Sequence, residues 1–214
     1  MTTSLADYIY AGLRAKLVRA ELMPGMLLSE NELAAEFGMS RTPVRTALSR
    51  LETEGFVVSL KNRGILVKEL SGKEVLDMFE TIAGMQAFTA ETVAQRGGGF
   101  NIPALEQMLE QQRVATGRGD YAAHMEHSLA FTTIYLAASN NNFMLKIMEE
   151  CRDKLMMAAI VNFKRTPHQE HFSSDAVNER MMELIKAGDY GALRQAALDS
   201  YAAVRERAFR AGHF

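Results

Sequence analysis

Residues 29–55 constrain the fold more tightly than any other part of the chain. Ser29-Glu30-Asn31-Glu32 has the form of a capping box: the Ser29 hydroxyl and the Glu32 carboxylate can each satisfy a backbone N–H left free at a helix start. A short helix follows with Leu33 and Phe37 as its apolar contacts, and Gly38 supplies the left-handed residue that closes it. Thr42-Pro43 opens a second helix, threonine as N-cap and proline at the first helical position, where a missing N–H does no harm. That helix turns Val44, Leu48 and Leu51 inward and runs to about Glu54, where Gly55 stops it.

The flanking segments complete a small domain. Residues 6–21 read as an amphipathic helix with Tyr8, Leu13, Leu17 and Val18 on its apolar stripe, and Pro24-Gly25 breaks it. After Gly55, the β-favouring runs 56–60 and 64–67 surround Lys61-Asn62-Arg63 as a hairpin. Helix, helix, tight turn, helix and hairpin is the order of a winged helix-turn-helix. From Ser71 the texture becomes helical throughout, beginning with a second capping box at Ser71 and Glu74. The domain boundary is therefore expected at Leu70–Ser71, giving domains 1–70 and 71–214. The first long helix spaces Val75, Met78, Phe79, Ile82, Met85 and Val93 by three and four residues and ends at Arg96-Gly97. Further helices are expected near 103–117, 119–139, 141–165, 174–187 and 189–211, with Gly188-Asp189 closing one helix and capping the next. The expected fold is mainly α: a winged helix-turn-helix followed by an all-α six-helix bundle.

Composition narrows the function classes. Charged residues are 23% and hydrophobic residues 48% of 214, which excludes wholesale disorder. A single cysteine, Cys151, excludes a disulfide framework and a multi-cysteine zinc site, and fits a reducing cytoplasmic compartment. No apolar run reaches the ~20 residues of a membrane helix, and the N-terminus lacks signal-peptide order, so no membrane partner is expected. Net charge is −2, yet Arg41, Arg45, Arg50, Lys61 and Arg63 crowd one short stretch while Glu149, Glu150 and Asp153 lie elsewhere. A basic patch on a mildly acidic body suits a chain that meets phosphates at one face; a solvated helix face is the plainer alternative.

A helix is about the width of the major groove, and cations near its N-terminus meet phosphates and guanine edges. Ser40-Arg41-Thr42-Pro43-Val44-Arg45 supplies them, with Arg41 and Arg45 four apart and on one face. Thr42 can bond a phosphate or touch a thymine methyl, while Lys61, Arg63 and the close-approaching Gly64 form a hairpin tip able to reach DNA. A winged helix used for protein contacts is the alternative on spacing alone.

Pro24-Gly25, Leu28 through Ala35, Gly38 through Arg45, Ala47-Leu48, Leu51, Glu54-Gly55, Arg63-Gly64 and Val67 together resemble the GntR family of bacterial transcription regulators. The remainder, including Ala137-Ala138-Ser139-Asn140 and Ala187-Gly188-Asp189, resembles the FCD effector domain of its FadR subfamily, and six helices point to the shorter VanR-like branch. The resemblance implies a homodimer, most often a repressor, on a two-fold-symmetric double-stranded operator, with a small-molecule effector in the helical domain. It places DNA contacts at Arg41, Thr42 and Arg45, with Gly64 in the wing. Asn31 stands where many relatives have an arginine.

FCD domains commonly hold a divalent metal through an Asp and a His four apart on the third helix and a His on each of the fifth and sixth. The corresponding residues here are Ser128, Thr132, Asn178 and Ser200, none a strong ligand. The arginine that clamps an acid ligand in relatives, and the glutamate four residues on, correspond to Ile82 and Gln86. No metal and no other cofactor is therefore expected. The candidate effector pocket is Ile82, Gln86, Ser128, Thr132, Asn178 and Ser200, uncharged, and suited to a neutral or largely apolar ligand. Met78, Met85, Met156 and Met181 can mould around such a ligand or simply pack the core. His124 and His127 leave a displaced metal site conceivable, although no carboxylate is evidently placed to join them; His168 and His171 fall in a loop expected to be solvated. Cys151 is expected to pack as a small apolar residue, with Arg152 beside it leaving a redox role open. With no phosphate loop or nucleophile–base motif, catalysis is not expected. The competing reading is a constitutive DNA-binding dimer whose bundle serves assembly alone.

Overall fold

The computed structural model describes residues 4–61 and 63–210. They form two compact units, residues 1–70 and 71–214 in chain numbering. In the first, α1 (Leu5–Val18), α2 (Glu30–Phe37) and α3 (Arg41–Thr53) accompany the strands β1 (Leu27–Leu28), β2 (Val57–Leu60) and β3 (Gly64–Val67). The strands make an antiparallel sheet of order β1-β3-β2, with Leu27 opposite Leu66 and Val57 opposite Val67. The hairpin is as expected, but β1 was not; two residues are too few to show alternation, and the sheet recruits them by pairing with β3.

Three local expectations change. The buried stripe of α1 is Ile9, Tyr10, Leu13 and Leu17, whereas Tyr8 is 60% exposed, because packing against α3 selects which face of α1 turns inward. The Ser29 hydroxyl accepts from Glu32 N–H, giving a one-sided cap in place of the reciprocal box. The N-cap of α3 is Ser40, with Arg41 the first helical residue, so Pro43 sits third in the helix, still among the positions that lack an N–H acceptor. Gly64 has φ +95°, and a Cβ there would lie 3.0 Å from the Leu28 carbonyl oxygen. Its missing side chain is thus required by the β1–β3 pairing inside the protein. Asn62 of the expected turn lies outside the described residues.

The core of this unit closes Leu13 and Leu17 of α1 and Val44, Leu48 and Leu51 of α3 with Phe56, Val57 and Val67, all nearly inaccessible. Each such side chain contributes about 1.5–3 kcal/mol by leaving water. Arg50 joins this structure too: its guanidinium lies 3.9 Å from the Tyr10 ring centroid and donates to Asp7 at 2.6 Å.

The second unit contains α4 (Gly72–Arg96), α5 (Ile102–Gly117), α6 (Tyr121–Ala137), α7 (Asn142–Arg165), α8 (Ser174–Ala187) and α9 (Tyr190–Arg210). The Ser71–Glu74 capping box is reciprocal, and Gly97 and Gly188 close α4 and α8 in the left-handed region. Helix α4 packs mainly on α9 and α5 mainly on α6. Their shared interior holds Leu105, Phe131, Tyr135, Leu136, Met148, Leu155, Met181 and Leu193. Along α4, Leu76 is buried while Val75, Met78 and Phe79 are half-buried, so the inward face is rotated by one residue at its start.

Replacing Gly64 with alanine should destabilise the first unit by about 1–2 kcal/mol, through the left-handed backbone and the Leu28 carbonyl contact. Urea unfolding monitored by far-ultraviolet circular dichroism measures it; an unchanged midpoint would contradict the assignment.

Candidate nucleic-acid interface and the polar interior of the helical unit

Helix α3 exposes what its apolar stripe leaves over. Thr42, Arg45, Thr46, Ser49 and Arg50 line a shallow depression of about 370 Å³ along it. Arg41 on the first turn and Arg45 on the next are 58% and 66% exposed, and both reach a single carboxylate, Glu30, at the start of α2. Arg45 Nε donates to Glu30 Oε1 at 3.0 Å and Arg45 Nη2 to Oε2 at 2.9 Å, while Arg41 Nη2 donates to Oε2 at 3.1 Å. These bonds, Arg45's before Arg41's, hold the Glu30 carboxyl down at about 2, so the cluster is ionised at neutral pH. Asn31, Thr42, Lys61, Arg63 and Gly64 are exposed on the same unit. Glu30 was missed from sequence because its neighbours Ser29 and Glu32 account for the segment as a helix cap.

In the helical unit Ile82, Gln86, Ser128, Thr132 and Asn178 are buried. Ser128 and Asn178 meet directly, as Asn178 Nδ2 donates to Ser128 Oγ at 3.2 Å and to Gln112 Oε1 at 2.8 Å. Gln86 Nε2 approaches Met181 Sδ at 3.8 Å, and its backbone carbonyl accepts from the Tyr135 hydroxyl. Thr132 and Ser200 are turned back onto their own helices, donating to Ser128 O and Ala197 O. This donor set does not fit a divalent ion: Asn178 presents N–H groups to its neighbours, and the hydroxyls are neutral. Among the described residues no group of three or more histidine, cysteine or acidic side chains is arranged to hold a metal ion.

The network continues one helical turn away, through His124 and through Gln112, Ser174, Thr116 and Asp175, four residues the sequence did not single out. Gln112 Nε2 donates to Ser174 Oγ at 3.2 Å, and Ser174 Oγ lies 2.7 Å from His124 Nε2. On the other side of the ring, Nδ1 is 2.9 Å from Thr116 Oγ1, which lies 2.7 Å from Asp175 Oδ2. Thr116 Oγ1 also lies 3.1 Å from Gln112 O; a carboxylate and a carbonyl only accept and threonine has one proton, so whichever of the two takes it, Thr116 accepts from Nδ1–H. That fixes the tautomer: Nε2 accepts from Ser174. Asp175 Oδ1 lies 3.5 Å from Nδ1, so a carboxylate does face His124, brought there by α8 from 51 positions along the chain.

His124 is fully buried, and burial depresses its pKa against the opposing charge of Asp175, with His127 adding to the depression. His171, expected in solvent, is half-buried: its Nε2–H donates to Thr166 O at 2.7 Å, and its ring packs edge-on to Tyr121 and Phe163. Tyr121 stacks on Phe163 at 4.6 Å and meets Phe172, folding the α7–α8 connection onto α6. Loop residues that looked polar by position are thus drawn in by aromatic neighbours remote in sequence. Cys151 is half-buried and its thiol is raised by burial, which disfavours the reactive thiolate.

Comparison with known proteins decides the family. Residues 5–67 match the family model described as bacterial regulatory proteins, gntR family, and residues 77–203 match that of the FCD domain. The chain belongs to the GntR family. It is 28% identical over 151 residues to the Nta operon transcriptional regulator of Aminobacter aminovorans, covering 69% of this chain and 71% of that protein. It is 23% identical to the gluconate operon transcriptional repressor of Bacillus licheniformis, covering 82% and 72%. A GntR transcriptional regulator of Rhodococcus sp. RHA1 shares the fold, with a TM-score of 0.77 at 17% identity over 94% of this chain and 97% of that one. This GntR protein is a DNA-binding transcription regulator with an FCD domain; its family and relatives are regulators, not enzymes. Among the described residues no helix is long and apolar enough to cross a membrane.

Because unfolded chains bind the His124 proton more readily, stability should fall as pH drops below the ordinary value of 6.5 toward the depressed folded value. The variant His124→Gln should unfold at lower temperature at pH 7.5 yet lose less on acidification. Thermal melts from pH 5 to 8 measure both, and a slope unchanged by the substitution would contradict the role of His124.

Proposed function

We propose that this protein is a repressor that binds a two-fold-symmetric operator as a homodimer and responds to a small molecule held in its helical domain. The observation that carries the DNA reading is the pair Arg41 and Arg45, exposed on the first two turns of the second helix of the helix-turn-helix. There the N-terminal end of the helix dipole adds to their attraction for phosphate, and guanidinium forks match guanine O6 and N7. Thr42, Asn31, Lys61, Arg63 and Gly64 extend this surface, Thr42 on α3 itself, Asn31 on α2 and the others in the wing.

The uncharged interior at Ile82, Gln86, Ser128, Thr132 and Asn178 supports a neutral or largely apolar effector and a domain without an inner metal. Ser200 enters this set only if its hydroxyl leaves Ala197. The six helices among the described residues after Leu70 support placement in the VanR-like branch of the FadR subfamily. A cytoplasmic location accords with DNA as partner. A second reading has its own support: Asn178, Ser128 and Gln112 already satisfy one another, as in a bundle that assembles the dimer without ligand.

Arg45→Ala should weaken binding to a selected duplex by about tenfold to a hundredfold, the worth of a bidentate base contact, and gel shifts with unchanged affinity would reject the contact. A thermal-shift panel separates the two readings of the bundle: a neutral effector should raise the midpoint by mass action, while silence across neutral, apolar and acidic metabolites would favour assembly alone. Elemental analysis of purified protein is expected to find well under one equivalent of zinc, nickel or manganese per chain, and one tightly held equivalent would overturn the metal-free reading.

A further inference from the structure

The Glu30 carboxylate leaves a distinctive edge of Arg45 free. A guanidinium has five N–H donors: one on Nε and two on each Nη. Glu30 takes the Nε side of Arg45, using Nε–H and one Nη2–H at 3.0 and 2.9 Å. The adjacent end-on edge, made of one Nη1–H and the other Nη2–H, is not used by the two bonds Glu30 takes from Arg45. That edge is itself a two-pronged fork of the spacing that guanine O6 and N7 accept.

Arg41 is held differently, by one Nη2 bond to the shared oxygen Oε2. A single bond constrains position but not the plane of the guanidinium. Of the two arginines, Arg45 is therefore the one whose plane is set. Glu30 is itself anchored at the first position of α2, behind the Ser29 cap, and its side chain is 22% exposed. With both guanidiniums mostly in water, the ion pairs add little to fold stability; their consequence is orientation.

We propose that Glu30 is a positioning and specificity-determining residue: it holds Arg45 side-on so that its end-on edge reads a guanine, and restrains both arginines from unselective phosphate contact. The proposal rests on the reading of α3 as the groove-entering helix. Pre-organisation means that less arginine rotamer freedom is lost on binding, and binding gains accordingly for the base that fits the presented edge. The carboxylate also opposes phosphate by like charge, which lowers affinity for random duplex. Both effects widen the gap between the right sequence and any other.

The test uses the full-length protein and a duplex that the wild type selects from a randomised library, compared with random duplex. In Glu30→Gln, which keeps the side-chain volume and removes the charge, the ratio of selected to random affinity should fall by about tenfold. Random-duplex affinity should rise, with a log–log salt dependence steeper by about one charge. The loss of discrimination should concentrate at one guanine per half-site, the same position that Arg45→Ala makes indifferent. A general loss of folding would not produce that base-by-base pattern.

If Glu30→Gln keeps the wild-type discrimination at every position, Glu30 does not position Arg45, while the DNA reading stands. If the wild type selects no duplex over random sequence, the DNA reading fails and this inference with it. Should Glu30→Gln fold poorly, the wild type decides alone. The Arg45 Nε–H signal should exchange with water more slowly than that of exposed Arg180, whose bond to Glu183 is through Nη1. Equal exchange rates would overturn the side-on hold.

Discussion

The closure of α1 against α3 is the contact on which the DNA-binding unit depends. Leu13 and Leu17 meet the apolar stripe of Val44, Leu48 and Leu51, and once that stripe faces inward the rotation of α3 about its axis is settled. Everything presented to solvent along α3 follows from the 100° step between successive residues. Arg50 belongs to this closure as well, spanning Tyr10 and Asp7 of α1. Its place in the basic stretch is thus divided: Arg41 and Arg45 stand outward, whereas Arg50 ties two helices together.

Short α2 then acts as a platform for one acid. Gly38 closes α2 with a left-handed residue and α3 begins at Arg41, which leaves the Glu30 side chain on the first turn of α2 within reach of Arg41 and Arg45 on the first two turns of α3. A carboxylate and two guanidiniums 11 and 15 positions further on come within hydrogen-bond distance. If α3 enters the groove as proposed, this ion cluster bears on partner choice well beyond its small contribution to stability.

The helical unit solves a different problem, that of polar groups inside a bundle. The run Ser128, Asn178, Gln112, Ser174, His124, Thr116 and Asp175 links α5, α6 and α8, each donor meeting an acceptor. Every link adds modestly to stability, about 0.5–1.5 kcal/mol net, but removing one partner strands another in a dry interior at higher cost. Such a chain makes the three helices fit in one arrangement. It begins at Ser128 on α6, within the proposed effector pocket, and ends at Asp175 near the start of α8, which also carries Asn178 and Ser174.

Local signals by themselves determined the element order, the glycine stops at Gly38, Gly97 and Gly188, the Ser71 capping box, and the arginine pair on one face of α3. These are interactions within a few residues, where spacing alone sets geometry. The strand at Leu27–Leu28, the true inward face of α1, the tie between Glu30 and the arginines, the Asp175–His124 approach and the half-burial of His171 were decided by tertiary structure. Each needs a partner from another element: β3 for Leu27, α3 for Glu30, α8 for His124, α6 for His171. A side chain's pattern in the sequence says which way it leans along its own helix; what stands opposite is chosen by how the helices pack.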